Sequence, residues 1–284
     1  MLITMKNAVK NYGDFVLDCS LELLPGRVTG LIGRNGAGKT TAMSAILGLV
    51  RTDGGEVRVF GKEPMELTPA ERCRIGVTLS EGGFSEWLTP KNVASIEAAL
   101  YPGLDKGAFL RSCEKNGLPV DKQIRAYSKG MKAKFRLLCA MEHGADLLIL
   151  DEPTAGLDVM ARDEVLDLLR VYMEQKEDRG ILISSHISSD LESLCDDLYL
   201  IENGRILLHE ETHVLLGSYG LLKMPAERYG ALDGRHILRV KKEPYGLCCL
   251  TDCRAFYADN YPDLTIEPGS IDRVMTMLLR GEAK

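Results

Sequence analysis

The chain has 284 residues, 45% hydrophobic and 27% charged, the balance of a folded protein with a substantial buried core. No uninterrupted apolar run reaches the ~18 residues that a membrane helix needs, and no charged-then-apolar segment opens the sequence, so neither a spanning nor a secreted protein is expected. A formal net charge of -6, with Lys and Arg dispersed, argues against a nucleic-acid surface, and 8 cysteines without a signal peptide read as reduced thiols.

In chain order, Leu2 to Val9 reads as a strand, and Phe15, Leu17, Cys19, Leu21 and Leu23 alternate as its half-buried neighbour up to the turn Pro25-Gly26. Val28 to Ile32 is a short apolar strand that runs into a glycine-rich loop, and Thr41 to Val50 then carries helical spacing. After Asp53-Gly54-Gly55, strands are expected at Glu56 to Phe60 and Ile75 to Leu79. From about 81 to 143 the pattern turns helical, at Asn92 to Leu100, Lys106 to Asn116 and Lys129 to Met141, with no strand between; this predicts a helical subdomain inserted into the sheet. Strands resume at Leu147 to Leu150 and Ile181 to Ser184 around a helix at Val159 to Gln175. Leu198 to Glu202 and Arg205 to His209 flank Asn203-Gly204, the dipeptide best suited to a type I′ turn. Beyond about Glu211 the signals weaken to strands at Ile237 to Val240 and Leu247 to Leu250 and a helix from Ser270 with Ile271, Val274, Met275, Leu278 and Leu279 inward. Cys248, Cys249 and Cys253 form the densest thiol cluster, but without a second CxxC or a histidine pair they read as buried or incidental thiols rather than a metal site.

The loop Gly33-Arg34-Asn35-Gly36-Ala37-Gly38-Lys39-Thr40 fits G-x-x-x-x-G-K-[ST] and lies between a predicted strand and a helix, where such a loop binds phosphate. Its glycines let successive amides face a phosphate, the helix N-terminus adds positive charge, Lys39 reaches the β and γ phosphates of ATP, and Thr40, followed by Thr41, can ligate Mg2+. Asp151 ends an apolar strand with its carboxylate free to hold the magnesium, and Glu152 directly after it is placed to polarise an attacking water as general base.

Leu147 to Asp158, LLILDEPTAGLD, resembles the Walker B motif and D-loop of the ABC ATPase superfamily, and the resemblance extends from Met1 to about Glu211. It implies an α/β fold: a P-loop NTPase (RecA-like) core with a mixed sheet, an antiparallel β subdomain, the inserted helical subdomain, and a small α+β C-terminal extension. The cassette would be 1–211 and the extension 212–284. The resemblance makes Tyr12 the aromatic residue that stacks on adenine, His186 the switch histidine that contacts the γ-phosphate, and Asp158 a D-loop member of the nucleotide site. Tyr127-Ser128-Lys129-Gly130-Met131 stands where most members have LSGGQ, and it keeps Ser128 and Gly130, which hold the γ-phosphate of a second cassette. Lys129 either adds positive charge there or points to solvent. No glutamine occupies the Q-loop near Ser80 or Glu81, and Glu81 is the stand-in, able to ligate magnesium or position water.

The family hydrolyses ATP between two cassettes, so a homodimer or a heterodimer with a similar cassette is implied, peripheral on the cytoplasmic face of the cell membrane and coupled to a permease on a separate chain. The ending EPGSIDRVMTMLLRGE and the YSKGM signature resemble exporter-type ATPases of the antibiotic-peptide-resistance kind. The permease groove beside the Q-loop would be lined by some of Glu81, Phe84, Trp87 and Leu88, unless Trp87 is core of the helical subdomain. A soluble regulatory ABC ATPase without a permease is the alternative.

Overall fold

The structure, a computed structural model, describes residues 1–79, 83–244 and 246–283. The chain forms two compact units, Met1–Cys195 with Ile201–Ile206, and Asp196–Leu200 with Leu207–Lys284.

In the first unit, β1 (Ile3–Asn11) and β2 (Val16–Leu23) form an antiparallel hairpin. The alternation read in β2 is real: Leu17, Cys19, Leu21 and Leu23 are buried. Next come β3 (Val28–Ile32), buried throughout, α1 (Lys39–Ile46), and β4 (Gly54–Val59), which completes a sheet of order β2-β1-β4. Helix α1 begins on the loop lysine and stops short of the expected Val50, because Gly48 takes a φ of 70° that no right-handed helix accommodates.

A short helix α2 (Pro69–Arg72) leads to β5 (Ile75–Thr78), and the helical subdomain follows as α3 (Pro90–Leu100), α4 (Lys106–Lys115) and α5 (Lys129–Met141). Helix α3 starts ahead of the Asn92 expected from spacing, since Thr89 and Asn92 form a capping box and Pro90 brings its fixed φ to the first turn. Val93, Phe109, Cys113, Phe135 and Leu138 make a common core, and Phe135 meets both Phe109 and Tyr127 edge-on at 6.2 Å. Among the described residues no strand interrupts this stretch, as the sequence predicted.

Then come β6 (Leu147–Asp151), α6 (Val159–Glu174), β7 (Gly180–Ser185) and α7 (Ser188–Leu194). Strands β5, β6, β7 and β3 lie side by side in that order, all parallel. The register pairs Asp151 with Ser184 and Ile32 with Ser185, so the carboxyl ends of β6, β7 and β3 are level with one another. In an open parallel sheet that edge is where ligands bind.

The expected hairpin is β8 (Asp197–Glu202) and β9 (Arg205–Glu211), and its turn has positive φ at both Asn203 (48°) and Gly204 (77°), as a type I′ turn requires. The second unit continues through α8 (Thr212–Gly217), β10 (Gly220–Met224), α9 (Ala226–Tyr229), β11 (Ile237–Glu243), β12 (Gly246–Thr251), α10 (Arg254–Asn260), β13 (Thr265–Pro268), α11 (Ile271–Arg280) and β14 (Glu282–Ala283). Its antiparallel sheet has the order β13-β10-β12-β11-β14 around a core of Leu222, Met224, Ile237, Cys249, Tyr257 and Leu264. Sequence spacing found β11, β12 and α11 but not β10 (GLLKM) or β13 (TIEP), neither of which carries a sustained apolar run or alternation. Helix α11 buries Ile271, Val274 and Met277, where Met275 had been expected inward. Cys248 and Cys249 are both buried, and burial pushes the Cys249 thiol up to about 12.

Candidate functional site

The loop after β3 supplies amides and an ammonium. Gly36 and Gly38 have φ of 80° and 111°, which turns the chain so that α1 opens toward the sheet edge. Gly33 is required by proximity: a Cβ there would lie 2.4 Å from the Ile201 carbonyl oxygen. The Gly204 amide donates to the Ala37 carbonyl at 2.8 Å and so braces the loop from the hairpin turn. Lys39, 6% exposed, donates through Nζ to the carbonyls of Gly33 (2.7 Å) and Arg34 (3.2 Å). Lys39, Arg34, Asn35, Ala37, Thr40 and Thr41 therefore stand together at the end of β3, as their spacing predicted.

The end of β6 supplies carboxylates. Thr40 donates its hydroxyl to Asp151 Oδ2 at 2.7 Å, across a sequence separation of 111. Glu152 Oε1 lies 3.1 Å from Lys39 Nζ and has no hydrogen-bond partner, while Oε2 accepts from His186 Nδ1 at 2.5 Å. Because a carboxylate only accepts, this bond places the imidazole proton on Nδ1. Glu152 has a φ of 52°, a left-handed conformation that a non-glycine residue holds only when its surroundings enforce it.

Ser184 is the residue that sequence reasoning missed. Wholly buried on β7, it donates its hydroxyl to Asp151 Oδ1 at 2.6 Å and accepts the Glu152 amide at 3.0 Å. One hydroxyl thus orients the Asp151 carboxylate and anchors the backbone of Glu152. Its signal was the polar pair Ser184-Ser185 closing an apolar strand just before His186.

The remaining predicted residues are placed less directly. Tyr12 sits in the β1–β2 turn, 53% exposed, its ring 6.4 Å from that of Phe15. Phe15 in turn approaches the loop: a Cβ on Gly38 would lie 3.0 Å from its Cζ. Ser128 caps α5, accepting the Met131 amide at 3.2 Å, and Asp158 caps α6, accepting the Ala161 amide at 2.9 Å. Gly130 is forced by packing of these helix starts, since a Cβ there would lie 2.7 Å from Ala161 Cβ. Lys129 is exposed and borders, with Lys132, Arg136, Asp151 and Glu152, a cavity of about 260 Å³. Glu81 lies outside the described residues. Trp87 is not core: it is 64% exposed with the Arg125 guanidinium 3.9 Å above its ring, while Phe84 and Leu88 pack against the helical core.

This set fits magnesium and a triphosphate. Thr40 and Asp151 offer the hard oxygens that the ion takes, and the loop amides with Lys39 are the donors that phosphates take. Glu152, held between Lys39 and His186, is a base that can act on a water beside the phosphate chain.

Comparison with known proteins agrees with this chemistry. The family model described as ABC transporter matches residues 16–155. The bacitracin transport ATP-binding protein BcrA of Enterococcus faecalis is 34% identical over 217 residues, covering 75% of this chain and 70% of that protein. The Nod factor export ATP-binding protein I of Sinorhizobium fredii is 33% identical over 228 residues, and there the match covers 75% of this chain and 64% of the relative. Among solved structures, an ATP-binding subunit of an ABC transporter superposes with a TM-score of 0.67 at 26% identity, covering 76% of this chain and 92% of that one.

Proposed function

This chain belongs to the ABC transporter family of ATP-binding proteins, and from that premise we propose that it hydrolyses ATP as one half of a cassette dimer that drives a separate membrane permease. The observation that carries the reading is the meeting of Lys39, Thr40, Asp151, Glu152 and His186 at level strand ends.

The roles follow from the chemistry of each group. Loop amides from Gly33 to Thr41 and the Lys39 ammonium hold the β and γ phosphates, and Tyr12 with Phe15 offers aromatic surface to the base. Thr40 and Asp151 would hold magnesium, which when bound offsets phosphate charge. Glu152 takes the proton of the attacking water, and His186, hydrogen-bonded to it, fixes the orientation of that carboxylate and directs its other ring nitrogen outward. Ser128 and Gly130, at the start of α5, serve the nucleotide of a second cassette, with Asp158 beside the same joint. Hydrolysis removes the γ-phosphate contacts and lets the pair separate.

No described helix is long and apolar enough to cross a membrane, so a transport role needs a partner that does; the cassette would sit on the cytoplasmic face. Relatives named for bacitracin transport and Nod factor export support the exporter direction. Their unlike cargoes at similar identity to this chain support cargo choice by the permease. Affinity purification of the intact complex from membranes tests this: a multi-span protein and a second cassette are expected, and their absence would reduce the chain to a soluble ATPase.

A further inference from the structure

Helix α3 carries an acid where its spacing calls for an apolar residue. Val93, Ala94 and Glu97 form its buried face, and Glu97 is 5% exposed. Its Oε2 has no hydrogen-bond partner, and among the described residues no basic side chain pairs with it. A buried carboxyl without a partner is costly, so it calls for an occupant that repays it.

Glu97 lines a cavity of about 250 Å³ between β5, α3 and α5. His143, 9% exposed, lines the same cavity; its Nδ1 donates to the Cys139 carbonyl at 3.0 Å, and its Nε2 has no hydrogen-bond partner. Tyr101 stacks on that imidazole at 4.1 Å. Burial holds His143 below its ordinary range, against the opposing pull of the Cys139 and Ile75 carbonyls, and burial pushes Glu97 up to about 7. The rest of the wall is largely apolar, including Val77, Leu79 and Phe84.

We propose that this cavity is a subsite for a lysine or arginine side chain carried on a cytoplasmic segment of the membrane partner, an inference that rests on the permease reading above. The apolar wall suits a methylene stem, and Glu97 Oε2 with His143 Nε2 supplies acceptors for a cationic head. Arg136 also lines the cavity and repels a cation at its own end, which directs the head toward Glu97. Val77 on the wall and Leu100 beside Tyr101 are large exposed apolar groups, 37% and 62% accessible. A free amine would leave them uncovered, whereas a polypeptide segment would cover them.

The test has two arms, both on the full chain. First, the purified subunit at about pH 8 is titrated with n-butylammonium, n-butylguanidinium and neutral n-butanol, with binding read from the ring resonances of isotope-labelled histidine and tyrosine, since His143 and Tyr101 line the cavity in wild type and variant alike. The two cations should bind about tenfold more tightly than the alcohol, and Glu97→Gln should remove that preference. Equal binding of the alcohol, or undiminished cation binding by the variant, overturns the site. If the variant does not fold, the wild type decides: cation binding must weaken toward about pH 5, where Glu97 gains its proton and any charging of His143 acts in the same direction; burial pushes Tyr101 and Cys139 further up, away from that window. Binding that is flat with pH overturns the proposal.

Second, the complex is purified from membranes. Glu97→Gln should recover about tenfold less permease than wild type, while Glu114→Gln, at an exposed position of α4, should recover as much. Equal recovery by Glu97→Gln overturns the assigned occupant. Absence of any membrane protein with the wild type sinks the transporter reading itself, a failure separate from that of the amine titration.

Discussion

The Lys39 ammonium lies 3.1 Å from Glu152 Oε1, joining the loop after β3 to the end of β6. The pair sets the phosphate-binding charge and the candidate base side by side. Each member then has its own test.

Glu152→Gln keeps the shape of the side chain and its contact with His186 but removes the basic oxygen. Turnover is expected to fall by ~10²–10⁴, the range for a general base, while ATP affinity stays near wild type. Steady-state hydrolysis alongside an equilibrium nucleotide titration checks this, and wild-type turnover would assign the base elsewhere.

Lys39→Ala should act on binding. The ammonium donates into the loop, bonded to the Gly33 and Arg34 carbonyls. A loss of about tenfold or more in ATP affinity is expected in a direct titration, from a charge-assisted hydrogen bond worth ~1.5–3 kcal/mol. Unchanged affinity would rule the role out.

Ser184→Ala leaves Asp151 Oδ1 without its 2.6 Å donor and removes the hydroxyl acceptor of the Glu152 amide, both in a buried setting. A stability loss of ~1–3 kcal/mol is expected, together with a fall in turnover larger than any fall in ATP affinity. A denaturant midpoint beside the two kinetic constants would show it. An unaltered midpoint would mean that Ser184 does not hold the Asp151 carboxylate and the Glu152 backbone in place.

Gly130→Ala places a methyl 2.7 Å from Ala161 Cβ and must push the starts of α5 and α6 apart. The expected cost is ~1–3 kcal/mol of stability. Adding Ala161→Gly should recover most of it, and a double-mutant cycle in urea measures the coupling. Additive losses would show that the two helices do not meet there.

Glu97 keeps its proton to about 7, well above the ordinary 4.5 at which an unfolded glutamate releases it. Between those values the native state binds more protons than the unfolded state, so its stability falls as pH rises through that window and stays lower above it. Glu97→Gln should therefore raise the Tm at about pH 8 and lose that advantage near about pH 4. The same offset at both pH values would show that the carboxyl does not ionise in place.

Much of the cassette was legible because its signals are local. The phosphate loop, the strand ending in Asp151, the Asn203-Gly204 turn and helix α5 each announce themselves within about a dozen residues, through glycine conformation, apolar runs or capping. The second unit was less legible because strands β10 and β13 carry no sustained apolar run or alternation and are stabilised by pairing with distant partners.

The sequence by itself determined which groups could meet: an ammonium, a hydroxyl, two carboxylates and an imidazole, each closing a predicted strand or opening a predicted helix. The tertiary structure decided how they meet. Strand register sets Ser184 opposite Asp151, and close packing demands glycine at 33 and 130. The fold of the helical subdomain buries Glu97 on a cavity that His143 also lines, its Oε2 without a hydrogen-bond partner among the described residues. Those outcomes depend on distances between segments far apart in the chain, which no local pattern of residues encodes.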